Sequence, residues 1–170
     1  MRRVSELVGK PVVSADTGER IGKVSDVLLD AQSRRMLGVV VSAGLFAGEQ
    51  VLPYEDVQTI GKDALVARSA GGVVGPKGWR AQGLDTLRTS ALTGRRVLST
   101  SGRSLGELHD LQVDEQAGTV EAFEVAVAAM GGLVRRRALL PRVDGVTVGA
   151  DAVLVPDVTA DAMEESRNRA

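Results

Sequence analysis

Three groups of residues have the types that chemistry requires. Asp26 and Asp30 are carboxylates four residues apart, a pair from which acid–base work or cation binding could be built. His109, the only histidine, stands beside Asp110 with Ser99 upstream, so the chain holds the three members of a nucleophile, base and acid set. Gly131-Gly132, followed by Arg135-Arg136-Arg137, could receive an anion. Each group also has a plainer reading. Asp at a turn or bulge bonds nearby backbone, and no cluster of His or Glu completes a coordination set around Asp26 and Asp30. The position matching His109 elsewhere in the chain is Ser25, and the nucleophile-elbow pattern is missing. No phosphate-loop pattern surrounds the paired glycines. The reading adopted is that the chain carries no catalytic residue, no cofactor and no metal. The arginine run is then a basic loop rim, open to a protein or RNA contact.

Those residues sit in a duplicated framework. Gly18-Glu19-Arg20-Ile21-Gly22-Lys23-Val24-Ser25-Asp26 through Asp30 returns as Gly102-Arg103-Ser104-Leu105-Gly106-Glu107-Leu108-His109-Asp110 through Asp114, at an offset of 84. Upstream, Leu7 to Ser14 matches Leu92 to Ser99 at an offset of 85, and Leu52-Pro53 to Val66 matches Leu140-Pro141 to Leu154 at 88. The second copy therefore carries four extra residues in one loop. A repeat of this length means one supersecondary design used twice.

Composition narrows what the copies can be. The chain has 170 residues, 44% of them hydrophobic but only 2% aromatic, so its cores are made of Val, Leu, Ile and Ala. There are no cysteines, which removes disulfides, thiolate zinc sites and thiol catalysis together. Residues 1–80 hold 11 basic and 9 acidic side chains, and residues 81–170 hold 10 and 13. Neither half has the positive excess of a general nucleic-acid binder. No apolar run approaches the roughly 18 residues of a membrane span, and no secretory h-region follows Met1. The expectation is a cytoplasmic protein.

The apolar pattern predicts short strands. In Ile21–Asp30, Val24 lies at one parity and Val27 and Leu29 at the other; Leu108, Leu111 and Val113 repeat the slip. A strand must keep its buried residues at one parity, so the slip predicts a β-bulge at Ser25-Asp26 and at His109-Asp110. Gly22 and Gly106, just before it, suit places where another strand crosses closely. Asp30–Arg34 and Asp114–Gly118 read as hairpin connections, with Gly118 left-handed. Pro53 and Pro141 end the strands they close. Val4, Leu7 and Val8 are expected to form a turn packed on the first barrel. Ser69–Ser90, with five glycines up to Gly83, Pro76 and the only tryptophan, reads as a linker, and Leu84, Leu87 and Leu92 as a helical turn after it.

Gly18, Ile21-Gly22, Val24, Asp26 and Asp30, the strand Val39-Val40-Val41, then Leu52-Pro53-Tyr54, Asp56-Val57 and Ile60 to Val66 together resemble a PRC-barrel domain, the family of the photosynthetic reaction-centre H subunit's cytoplasmic domain and of the C-terminal domain of the ribosome-maturation factor RimM. The resemblance covers nearly the whole chain. The second copy departs from it with Glu121 and Glu124 in the Val-rich strand and no aromatic after Pro141. It implies an all-β chain of two small barrels of about six strands each, used as docking modules for protein or ribonucleoprotein partners rather than for catalysis. The expected division is a barrel at 1–68, a linker at 69–89, a second barrel at 90–157 and a polar tail at 158–170. The candidate partner contacts are Leu45 and Phe46 in a glycine-flanked loop, Trp79, and Arg135, Arg136 and Arg137. Trp79 is expected to peg the two barrels together. The leading expectation is a protein-docking module, possible as a homo-oligomer. The alternatives are a factor in ribosome or RNA maturation and a small hydrolase or metal enzyme.

Overall fold

The computed structural model describes residues 1–44, 48–76, 79, 86–129, 134–141, 144–149 and 151–168, with the side chains of 128–129, 134–135 and 164–168 outside the description. In the first half, β1 (Arg2–Arg3) leads through a 3-10 turn (Val4–Glu6) to β2 (Pro11–Ser14), β3 (Arg20–Asp30), β4 (Met36–Ser42) and β5 (Glu49–Pro53). A 3-10 turn (Tyr54–Asp56), β6 (Val57–Ile60) and β7 (Leu65–Ala67) complete it. After a 3-10 turn at Ala70–Gly72, β8 (Thr86–Arg88) and helix α1 (Thr89–Leu92) lead into the second half. That half contains β9 (Arg96–Ser99), β10 (Ser104–Asp114), β11 (Thr119–Ala129), β12 (Val134–Pro141), β13 (Thr147–Val148) and β14 (Ala152–Val155), then helix α2 (Asp157–Asn168).

Each half makes a sheet of the same topology. The orders are β5-β4-β3-β2-β7-β6 and β12-β11-β10-β9-β14-β13. Among the described residues only β2–β7 and β9–β14 are parallel. The expected bulges are present: the β3–β4 register shifts between Val24 and Asp26, and the β10–β11 register between Leu108 and Asp110. The shift is what allows Val24, Val27 and Leu29 all to reach the core. Gly22 and Gly106 are where they must be. A Cβ on Gly22 would stand 2.5 Å from the Ser42 carbonyl oxygen, and one on Gly106 2.3 Å from that of Ala126.

The halves are joined by exchange. β3 and β10 have 11 residues each, but β2 and β9 have four and cover only part of one edge. The uncovered edge is taken by the other half's lead-in: β1 pairs with β10, and β8 with β3. Each sheet thus has seven strands, six of its own and one lent. This corrects the expectation that Val4, Leu7 and Val8 pack on the first barrel: the lead-in finds its free edge on the other half, Val4 and Leu7 enter the core that both halves share, and Val8 is exposed. Of the helical turn expected from Leu84, Leu87 and Leu92, α1 holds Leu92, whereas Leu87 lies in strand β8 and Leu84 lies outside the described residues. The hairpins meet symmetrically as well, Met36 N–H donating to Gly118 O (2.7 Å) and Val120 N–H to Arg34 O (3.0 Å). Arg34 and Gly118, equivalent in the repeat, are both left-handed, at φ 56° and 65°. One hydrophobic core results, holding Leu7 and Leu92, Val12 and Val97, Val27 and Leu111, and Leu52 and Leu140. Burying each lead-in leucine contributes about 2 kcal/mol.

Candidate functional site: anchoring carboxylates and two unlike outer faces

The bulge that the repeated Asp follows turns that carboxylate inward. Asp26 and Asp110 are both buried. Each accepts its own next backbone N–H, from Val27 and Leu111, both at 2.8 Å. Each then holds the other half's lead-in. Asp26 accepts from Thr89 Oγ1 (2.7 Å), Ser90 N–H (3.1 Å) and Ser90 Oγ (2.5 Å). Asp110 accepts from Ser5 N–H (3.2 Å) and Ser5 Oγ (2.5 Å). The local bonding was expected from sequence; the partner across the repeat was not. A signal existed in Ser5 and Leu7, which recur as Ser90 and Leu92 at the same offset of 85.

The residues suited to catalysis are not brought together. His109 is exposed on β10, while Asp110 is occupied by Ser5. Ser99 is buried at the end of β9, where its hydroxyl meets that of Ser101 (2.8 Å) and accepts the Arg103 N–H (3.2 Å). Asp30, four residues from Asp26, accepts from Gln32 and Ser33 in its own hairpin. Among the described residues no group of three or more His, Asp or Glu is placed to hold a metal ion.

The outer faces of the two sheets are built from equivalent positions and differ in chemistry. In the first half, Leu28, Val40 and Val51 form an apolar patch with Leu37 and Val74 against it. Trp79 covers that patch and is 7% exposed. It packs on the first barrel rather than between the two, because the chain after Gly72 runs along β5: Val74 and Val51 exchange both backbone hydrogen bonds at 2.8 Å. The peg between the halves is instead Tyr54, whose hydroxyl donates to the carbonyls of Glu115 (2.8 Å) and Gln116 (3.0 Å).

In the second half the positions of Leu28, Leu37, Val40 and Val51 are taken by Gln112, Glu121, Glu124 and Leu139. Glu124 is 2% exposed and accepts from Arg3 Nε (2.5 Å) and Gln112 Nε2 (2.9 Å), with Arg137 Nη1 4.0 Å from its other oxygen. Burial pushes this carboxyl up, but the hydrogen bonds and charges of Arg3, Gln112 and Arg137 outweigh it and hold it below its ordinary value. In the first half the carboxylate lies at the sheet edge: Glu49 pairs with Arg88 at 2.6 Å, and the repeat puts Arg137 where Glu49 stands. Leu139 is 55% exposed. Arg136 and Arg137 are exposed on β12. The Arg135 side chain, and Leu45 and Phe46 with their loop, lie outside the described residues.

Two sheets of one topology, each kinked at a repeated Asp, define a duplicated small β-barrel scaffold. The PRC-barrel domain matches this chain twice, over residues 1–74 and 84–162, and the chain belongs to that family. No curated protein matches it. Among the described residues no helix is long and apolar enough to cross a membrane.

Proposed function

We propose that the chain is a non-enzymatic docking protein. Its two barrels form one rigid scaffold, and its divergent outer surfaces recognise a protein partner. The observation that carries this reading is the contrast between equivalent faces. The interior, the bulges and the anchoring carboxylates are kept in both copies, while the outer face is apolar and self-covered in one and polar, with an exposed leucine, in the other. Specificity on a shared scaffold lies where its surfaces diverge. The buried carboxylates support the same reading, since their lone pairs are engaged in holding lead-ins rather than facing a cleft.

Cross-linking of the full chain in its native cell, read by mass spectrometry, tests this. Reproducible cross-links from one protein to the divergent surfaces are the expected result. Turnover of a substrate that His109→Ala abolishes would overturn the reading. So would RNA binding that falls steeply with salt and disappears when Arg135, Arg136 and Arg137 are changed to Ala.

A further inference from the structure

The first sheet carries its own example of what its outer edge and face accept. Val74 adds to β5 as an antiparallel bridge at Val51, and five residues later Trp79 lies over Leu28, Val40 and Val51. The second sheet presents the same geometry without the occupant. Its edge strand is β12, and among the described residues no strand or bridge pairs with the outer edge of Leu139, the equivalent of Val51. The segment that would cover it, following the last strand of the half, coils into α2, which lies against β12 and sends Ala160 and Met163 into the core but leaves Leu139 exposed.

A second observation concerns unpaired polar atoms. The indole Nε1 of Trp79 is buried with no hydrogen-bond partner. Val40, in the apolar cluster that Trp79 joins, offers none. At that position the second sheet has Glu124, and its buried Oε2 has no hydrogen-bond partner either. Arg137, at 4.0 Å, is too far to supply one. A buried carboxylate oxygen without a donor is costly. An indole seated on the second sheet as Trp79 is on the first would bring that donor once the half-exposed Arg3 or Arg137 side chain gives way, since Oε2 is covered in the free chain.

We propose that the outer edge and face of the second sheet bind an extended segment of a protein partner, pairing antiparallel with β12 at Leu139 and seating a tryptophan over Leu139 with its N–H toward Glu124. This is strand addition, in which backbone bonds supply affinity and one side-chain seat supplies selection. The inference rests on the docking reading above and names its surface and its ligand.

The test uses the full chain and a phage-displayed library of random dodecapeptides, followed by hydrogen exchange on the complex. Enriched peptides carrying tryptophan, with protection confined to β12 and adjoining β11, are expected. Leu139→Asp, at a position that is 55% exposed, should weaken them roughly tenfold or more. Glu124→Val, which installs the first sheet's residue, should weaken tryptophan peptides more than their phenylalanine counterparts. Peptides that bind elsewhere, or that ignore Leu139→Asp, overturn this inference and leave the docking reading standing. Enrichment of no peptide over an unfolded-chain control overturns this inference too and leaves the docking reading to its own cross-linking test. A concentration-dependent dimer abolished by Leu139→Asp would make a second copy the occupant and overturn the partner assignment.

Discussion

Asp26 is the residue on which the join between the halves is most exposed to test. Its carboxylate takes a hydrogen bond from its own bulge and three from the other half's lead-in. Hydrogen bonds to a buried charge are worth more than neutral ones, and stranding their donors costs further. Asp26→Ala should therefore destabilise the chain by about 3 kcal/mol and Ser90→Ala by about 1.5 kcal/mol. The double variant should fall short of the sum, a coupling that urea denaturation of all four proteins would measure. Asp157, at the start of α2, accepts from Ser101 Oγ (2.7 Å), Thr100 Oγ1 (3.1 Å) and Ser101 N–H (3.3 Å). The hydroxyls of Ser101 and Ser99 chiefly hold its carboxyl down at about 2. A carboxyl depressed by folding adds stability above its unfolded pKa, near 3.9, that is lost as pH falls towards the folded value. Asp157→Asn should flatten the dependence of stability on pH between about 4 and 2, which pH-resolved denaturation would detect.

At the level of strands, the long kinked pair β3 and β10 organises both halves. The parity slip in their apolar residues announced the bulges, and the glycine before each slip announced a close crossing. Gly106 gives the sharper test. It has φ 137°, and an added Cβ would meet the Ala126 carbonyl oxygen at 2.3 Å. Backbone cannot give way there as a side chain could. Gly106→Ala should cost at least about 3 kcal/mol, whereas Gly94→Ala, left-handed at φ 85° but facing open space, should cost about 1 kcal/mol. Thermal denaturation of the two variants separates crowding from backbone strain. The lead-ins show where sequence reasoning stops. Arg2–Leu7 and Leu87–Leu92 carry a local pattern that says "turn with buried leucine", but a strand edge left open by a short neighbour exists only in the folded sheet. Nothing in either segment alone says which half owns that edge. Trp79 was hidden for a similar reason: its glycine-rich surroundings read as linker, and its seat depends on Leu28, Val40 and Val51 sharing one face. Glu121 and Glu124 did show in the sequence as departures from the Val-rich strand, and both belong to the divergent outer face.

For the whole molecule, the claim is that exchange makes two copies into one cooperative unit. The lent strands, the paired hairpins, the Tyr54 bonds and the shared core all cross the repeat boundary. Each half would be small for a domain standing alone, and each leaves part of its long strand's edge unpaired without the other. The single tryptophan makes this measurable, because Trp79 sits on the first sheet while Asp110 anchors the first lead-in on the second. Equilibrium urea unfolding should be followed by Trp79 fluorescence and, in parallel, by hydrogen exchange in β10–β12, for the natural chain and for Asp110→Ala. One coincident transition by both probes is expected, with Asp110→Ala moving the Trp79 midpoint as far as it moves the β10–β12 midpoint. Two separate transitions, with the Trp79 midpoint unmoved by Asp110→Ala, would contradict it.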